Sequence, residues 1–92
     1  MIKSFSDLKA NDIVEIRTGK MMMVFELNGK KILINYEDYL DGKYFSKSNF
    51  QSDISNNFDI VRVRRPDYPI QLKQPNWNLA RVIWEEKGII KR

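Results

Sequence analysis

The chain has 92 residues, 42% apolar and 30% charged, with sixteen Lys and Arg against twelve Asp and Glu for a net charge of +4. That composition belongs to a folded globular protein with room for one core, so residues 1–92 are expected to form a single domain. Cysteine and histidine are both absent, which excludes disulfides, thiolate nucleophiles, sulfur-rich zinc sites and imidazole bases, and leaves an enzyme disfavoured and no cofactor expected.

The first residues, Met-Ile-Lys-Ser-Phe-Ser-Asp, lack the basic start, apolar core and small-residue cleavage site of a secretory signal, and a cytoplasmic location is expected. Phe5-Ser-Asp-Leu8 then offers two apolar anchors around a capping-type serine, a short turn lying over the open end of a barrel. Asp12 to Arg17 alternates with period two, which puts Val14 and Ile16 on one face and Glu15 and Arg17 on the other of a first strand. Thr18-Gly19-Lys20 supplies the next turn.

Between Met21 and Tyr36 lies the clearest signal, because Asn28-Gly29 separates two apolar runs. That dipeptide favours the two-residue hairpin turn with positive φ at both centres, which dictates the pairing on either side. Phe25 is then opposite Ile32, Met23 opposite Ile34 and Met21 opposite Tyr36, while Glu26 faces Lys31 and Val24 faces Leu33 on the reverse side. Met21, Met23 and Phe25 are expected to point into the core, leaving Met22 on the face of Glu26 and Lys31. The longest purely apolar run, Met21 to Phe25, is far short of the roughly 20 residues that span a bilayer, so no membrane contact is expected.

From Glu37 to Phe58 the pattern breaks into polar turn residues punctuated by aromatics. Phe50 and Ile54, four apart, predict one helical turn capped by Ser48 or Asn49 inside an otherwise wandering connection. The acids Glu37, Asp38 and Asp41 match no calcium-loop spacing and read as a solvated loop. Asp59 to Arg65 alternates again, with Val61 and Val63 inward and Ile60, Arg62 and Arg64 on the reverse face. Pro66, Pro69 and Pro75 mark a surface loop, and Arg81 to Glu85 gives a last strand with Val82 and Trp84 on one side. These elements make a mainly β chain, a small five-stranded SH3-like barrel with a long, partly helical connection. An OB-like barrel is the alternative and requires one more strand between Tyr36 and Phe58.

Arg62, Arg64 and Arg65 cluster at the end of one strand, with Tyr68 and Trp77 close in sequence, and Arg17 and Lys20 extend the patch if the first and fourth strands are neighbours. Guanidinium forks match phosphate geometry and aromatic faces stack on bases, so the set is a candidate partner-binding site for an anionic nucleotide or nucleic acid. The same residues also suit a structural role, with arginines guarding an edge strand and an aromatic ring closing a barrel mouth. Trp77, among polar neighbours, fits either a cover or an exposed contact anchor.

Phe5-Ser-Asp-Leu8, Asp12-Ile-Val-Glu-Ile-Arg-Thr-Gly19, Phe58-Asp-Ile-Val-Arg-Val63 and Ile83-Trp-Glu85 resemble the small accessory proteins of phages and prophages of low-GC Gram-positive bacteria. The resemblance implies a non-catalytic binding protein, acting in the cytoplasm of a bacterial host, that antagonises antiviral defence by binding a defence protein, as anti-CRISPR proteins do, or by sequestering a signalling nucleotide. A general DNA- or RNA-binding barrel is the alternative, in keeping with the positive charge.

Overall fold

The computed structural model describes residues 2–35, 37–67 and 77–87. It is mainly β: six antiparallel strands lie in one sheet in the order β4-β3-β2-β1-β5-β6. They are β1 (Ile13–Ile16), β2 (Met21–Leu27), β3 (Lys30–Ile34), β4 (Tyr39–Asp41), β5 (Ile60–Arg65) and β6 (Arg81–Glu85), with short 3-10 turns at Phe5–Asp7, Gly42–Tyr44, Asn56–Phe58 and Trp77–Leu79.

The turn chemistry of the first three strands follows from their residues. Asn28 and Gly29 both take positive φ, 53° and 79°, the two-residue turn that matches strand twist. β2 and β3 pair as Met23 with Ile34, Val24 with Leu33, Phe25 with Ile32 and Glu26 with Lys31; Tyr36, expected opposite Met21, lies outside the described residues. Glu26 and Lys31 face each other without an ion pair, the Lys31 ammonium donating to the Ser6 carbonyl at 2.9 Å. At the β1–β2 turn Gly19 has φ 95°, and Ile16 N–H donates to the Lys20 carbonyl at 3.0 Å.

The sheet buries one face in a principal core. Met22, Val14, Val63 and Trp84 form a cross-strand row on this inner face, joined by Val24, Leu33, Ile16, Ile60, Phe5, Leu8, Phe45 and Phe50. Leu40 of β4 and Trp84 of β6, from the two sheet edges, both pack on this cluster, so the sheet curls around it. Phe5 stacks on Phe45 at 4.9 Å between centroids and Phe50 tilts against Trp84 at 4.3 Å. A second, smaller cluster of Ile13, Met23, Trp77 and Ala80 covers part of the outer face.

Five expectations are corrected. β4 is a sixth strand, within the segment expected to wander. No helical turn joins Phe50 to Ile54: Phe50 is buried, Ile54 is exposed, and the 3-10 turns lie at either side. The hairpin faces are reversed, with Met22 and Val24 in the principal core, Met23 in the outer cluster and Phe25 40% exposed. In the fourth, Val82 and Trp84 part company, because a bulge between Val63 and Arg64 in the β5–β6 ladder leaves Val82 exposed while Ile83 and Trp84 both reach the core. The fifth is Ile60, expected on the reverse face with Arg62 and Arg64: a second bulge, where β1 passes from Glu15 to Ile16, sets Ile16 opposite Ile60 and brings Ile60 into the principal core.

Candidate functional site

The arginines of β5 are neighbours in sequence but not in environment. Arg62 lies in register with Glu15 on β1 and Glu85 on β6. It pairs with both: Nε and Nη2 reach Glu85 Oε2 at 2.8 and 2.7 Å, and Nη1 meets Glu15 Oε1. Arg64, two residues on and on the same outer face, turns to the Trp77–Leu79 turn, its Nη1 donating to the carbonyls of Asn78 at 2.7 Å and Ala80 at 3.0 Å. Arg65 faces the other way, toward the end of the core. Its Nε and Nη2 grip the buried Asp12 carboxylate at 2.7 and 2.8 Å, a fork-to-fork pair.

Arg17 and Lys20 sit at the opposite end of the β1–β5 ladder from Arg65. Arg17 Nη2 pairs with Glu86 at 2.7 Å and Asp59 at 3.4 Å, and its Nε donates to the Asn56 carbonyl. Lys20, in the β1–β2 turn, pairs with Asp38 of the β3–β4 turn. The titrations agree with this pairing. Hydrogen bonds donated by Arg17 to Glu86, by Lys20 to Asp38, by Arg62 to Glu85 and by Arg65 to Asp12 each hold the cation above its ordinary pKa.

Trp77 is 6% exposed and lies against Ile13, Met23 and Ala80, so it is a cover over the outer face of β1 and β2. Tyr68 lies outside the described residues. The seven expected site residues therefore do not converge on one ligand-sized space. Each described cation among them is held by acids or carbonyls of the chain itself, and they tie β1, β5 and β6 together.

Two other surfaces stand out among the described residues. One is a depression of about 680 Å³ under the β1–β2 turn, with Ile16, Met22, Leu40 and Phe58 in its wall and Thr18, Lys20, Asp38 and Tyr39 around it. Ile16 and Met22 are each only 2% exposed, so the depression is shallow, and its rim charges already neutralise one another. The other is the uncovered half of the outer sheet face, whose Phe25, opposite Ile32, was expected in the core. Here Phe25 faces Ile32, which in turn faces Asp41 of β4, Leu27 lies beside Lys30, and Tyr39 lies beside Ile34 at the margin of the covered cluster. Leu27 is 58% and Tyr39 70% exposed. The signal that marks it is visible in the sequence: an antiparallel hairpin with one solvated face alternates, whereas Met-Met-Met-Val-Phe-Glu-Leu and Lys-Lys-Ile-Leu-Ile are apolar at nearly every position on both faces.

Among the described residues no group of three or more acids forms a metal-holding cluster, and no helix is long and apolar enough to cross a membrane. No family model matches the chain, and no curated protein or solved structure is similar to it.

Proposed function

We propose that this chain is a non-catalytic binding protein that captures another protein through the outer face of β2, β3 and β4. Its setting is the one its resemblance to phage and prophage accessory proteins implies, namely antagonism of a host antiviral defence within the bacterial cytoplasm. The carrying observation is the hairpin whose two faces are both apolar while only one is fully covered, leaving Phe25, Leu27 and Tyr39 exposed on the same outer face. The largest contiguous apolar patch on a small monomer is often its functional surface.

Capture of a protein is favoured over sequestration of a nucleotide because of where the cations are. Binding a phosphate with Arg62, Arg65 or Arg17 means breaking pairs with acids that are half-buried or buried, and leaving an unpaired carboxylate such as that of Asp12 inside the protein costs about 3–5 kcal/mol. Lys20 alone borders the depression, and Asp38 offsets it.

The finer fold reading is a small SH3-like barrel. It is supported by the meander from β1 to β4, the return of β5 to the far side of β1, and the packing of both edge strands on one core.

The test is recovery of tagged protein from its host, wild type beside Phe25→Ser and Tyr39→Ser, both at exposed positions where folding is expected to be retained by circular dichroism. The variants are expected to lose the polypeptide that the wild type brings down. Retention of that polypeptide by both variants, or recovery of an ultraviolet-absorbing nucleotide and no polypeptide, overturns the reading.

A further inference from the structure

Asn28 is the one asparagine of the chain that precedes a glycine, and the fold leaves that pair open. Both residues are exposed at the tip of the β2–β3 hairpin, with φ of 53° and 79°. A Cβ placed on Gly29 meets nothing within 4 Å, and no hydrogen bond from the described residues holds the Asn28 carboxamide or the Gly29 N–H. Asp41-Gly42 has the same side-chain carbonyl next to a glycine, and there the fold does the opposite. Asp41 pairs with Ile32 in the sheet and its Oδ1 accepts from Lys43 N–H at 2.9 Å, while Gly42 is wedged against the Lys31 carbonyl and the Phe5 ring.

We propose that Asn28 is a site of spontaneous deamidation in the folded protein, and that its main product loosens the β2–β3 register. The Gly29 nitrogen loses its proton to hydroxide and attacks Cγ of Asn28. An N–Cγ bond closes a succinimide ring as the Cγ–Nδ2 bond breaks and ammonia leaves. Water then opens the ring. Cleavage of the N–Cγ bond leaves an aspartate, whereas cleavage between the nitrogen and the main-chain carbonyl carbon leaves an isoaspartate, whose main chain runs through Cβ and Cγ and is one atom longer.

Ring closure requires ψ of Asn28 to rotate out of the turn, and what resists this at the tip is the exposed end pair Leu27 and Lys30. Pairs at a fraying end open at little free-energy cost, and glycine has no Cβ to hinder the attack. The same rotation at Asp41 must pull Gly42 away from β3 and Phe5. The outcome matters because the turn dictates the pairing: either Asn or Asp before Gly suits it, so an aspartate keeps the turn and an isoaspartate does not. Val24 and Leu33, opposite each other in this hairpin and fully buried, then lose their register. None of this depends on what the outer face binds.

The test is incubation of the full chain at mildly alkaline pH, folded and in urea, followed by tryptic digestion and mass spectrometry with fragmentation that separates aspartate from isoaspartate. In residues 21–30 the folded chain is expected to convert at Asn28 within about tenfold of the unfolded rate, whereas in residues 32–43 folding is expected to slow isomerisation of Asp41 about a hundredfold or more. Gly29→Ala is expected to slow conversion at Asn28 about tenfold. The isoaspartate form, separated by ion exchange, is expected to melt about 5 °C or more below the wild type, and Asn28→Asp, which carries the same charge, to melt with the wild type. Conversion of Asn28 in urea alone overturns the inference. So does an Asp41 slowed by folding no more than Asn28, a Gly29→Ala chain that converts at the wild-type rate, or an isoaspartate form that melts with Asn28→Asp.

Discussion

Arg65 and Asp12 show how one residue's role depends on what lies opposite. The Asp12 side chain is 2% exposed and accepts from Lys9 N–H as well as from both arms of Arg65. Arg65→Ala strands that carboxylate and is expected to destabilise the fold by about 3–5 kcal/mol. Arg62→Ala is expected to cost about 1 kcal/mol, because Glu15 and Glu85 reach water and resolvate. Urea unfolding of the two variants checks the order; an equal loss would mean that Asp12 is not isolated by the first. The arginine cluster was legible in the sequence, and its paired state was not, since the acid that holds Arg65 comes from 53 residues away. Trp77 behaves likewise: its polar neighbours left cover and contact anchor equally open, and only its packing on Ile13 and Met23 makes it a cover.

At the scale of elements, the parts read correctly are those whose determinants are local. Asn28-Gly29 and the cross-strand pattern around it dictate the β2–β3 register, and the alternation of Ile13 to Ile16 suffices for β1. β4 has three residues and no pattern of its own; it exists because β3 offers an edge and Gly42 permits the chain to pass close. A Cβ at Gly42 would lie 2.2 Å from the Lys31 carbonyl oxygen and 2.7 Å from the Phe5 ring. Gly42→Ala is therefore expected to cost about 1–3 kcal/mol by forcing the Gly42–Tyr44 turn off β3. Gly29→Ala, where a Cβ meets nothing and only the positive φ is penalised, is expected to cost about 1 kcal/mol. Thermal melts of the two variants that came out in the reverse order would contradict the close approach.

The expected helical turn at Phe50 failed for a related reason. Spacing of four suits a helix, but Asn49, Ser52 and Ser55 bond instead to the backbone N–H groups of Gln51, Ile54 and Asn57, side-chain turns that compete with helix.

For the whole molecule, the question is whether a charge of +4 makes a nucleic-acid binder. Arg17, Lys20, Arg62 and Arg65 are each matched by an acid of the same chain, so few counterions are released when DNA approaches. Any affinity for duplex DNA is expected to be weak, with a slope of log K against log salt no steeper than about −2. Fluorescence anisotropy over a salt series measures it; a slope near −5 would restore the general DNA- or RNA-binding reading. What the sequence by itself determined is the mainly β class, the tight hairpin and its register, and the absence of thiol and imidazole chemistry, because each depends on residue identity or on neighbours a few positions apart. Which face of the hairpin is interior, which acid answers each arginine, and where apolar surface stays uncovered were decided only by the tertiary structure. Period-two alternation assigns residues to two faces without saying which one the rest of the chain will cover, and ion pairs across β1, β5 and β6 join residues distant in sequence that only the assembled sheet brings together.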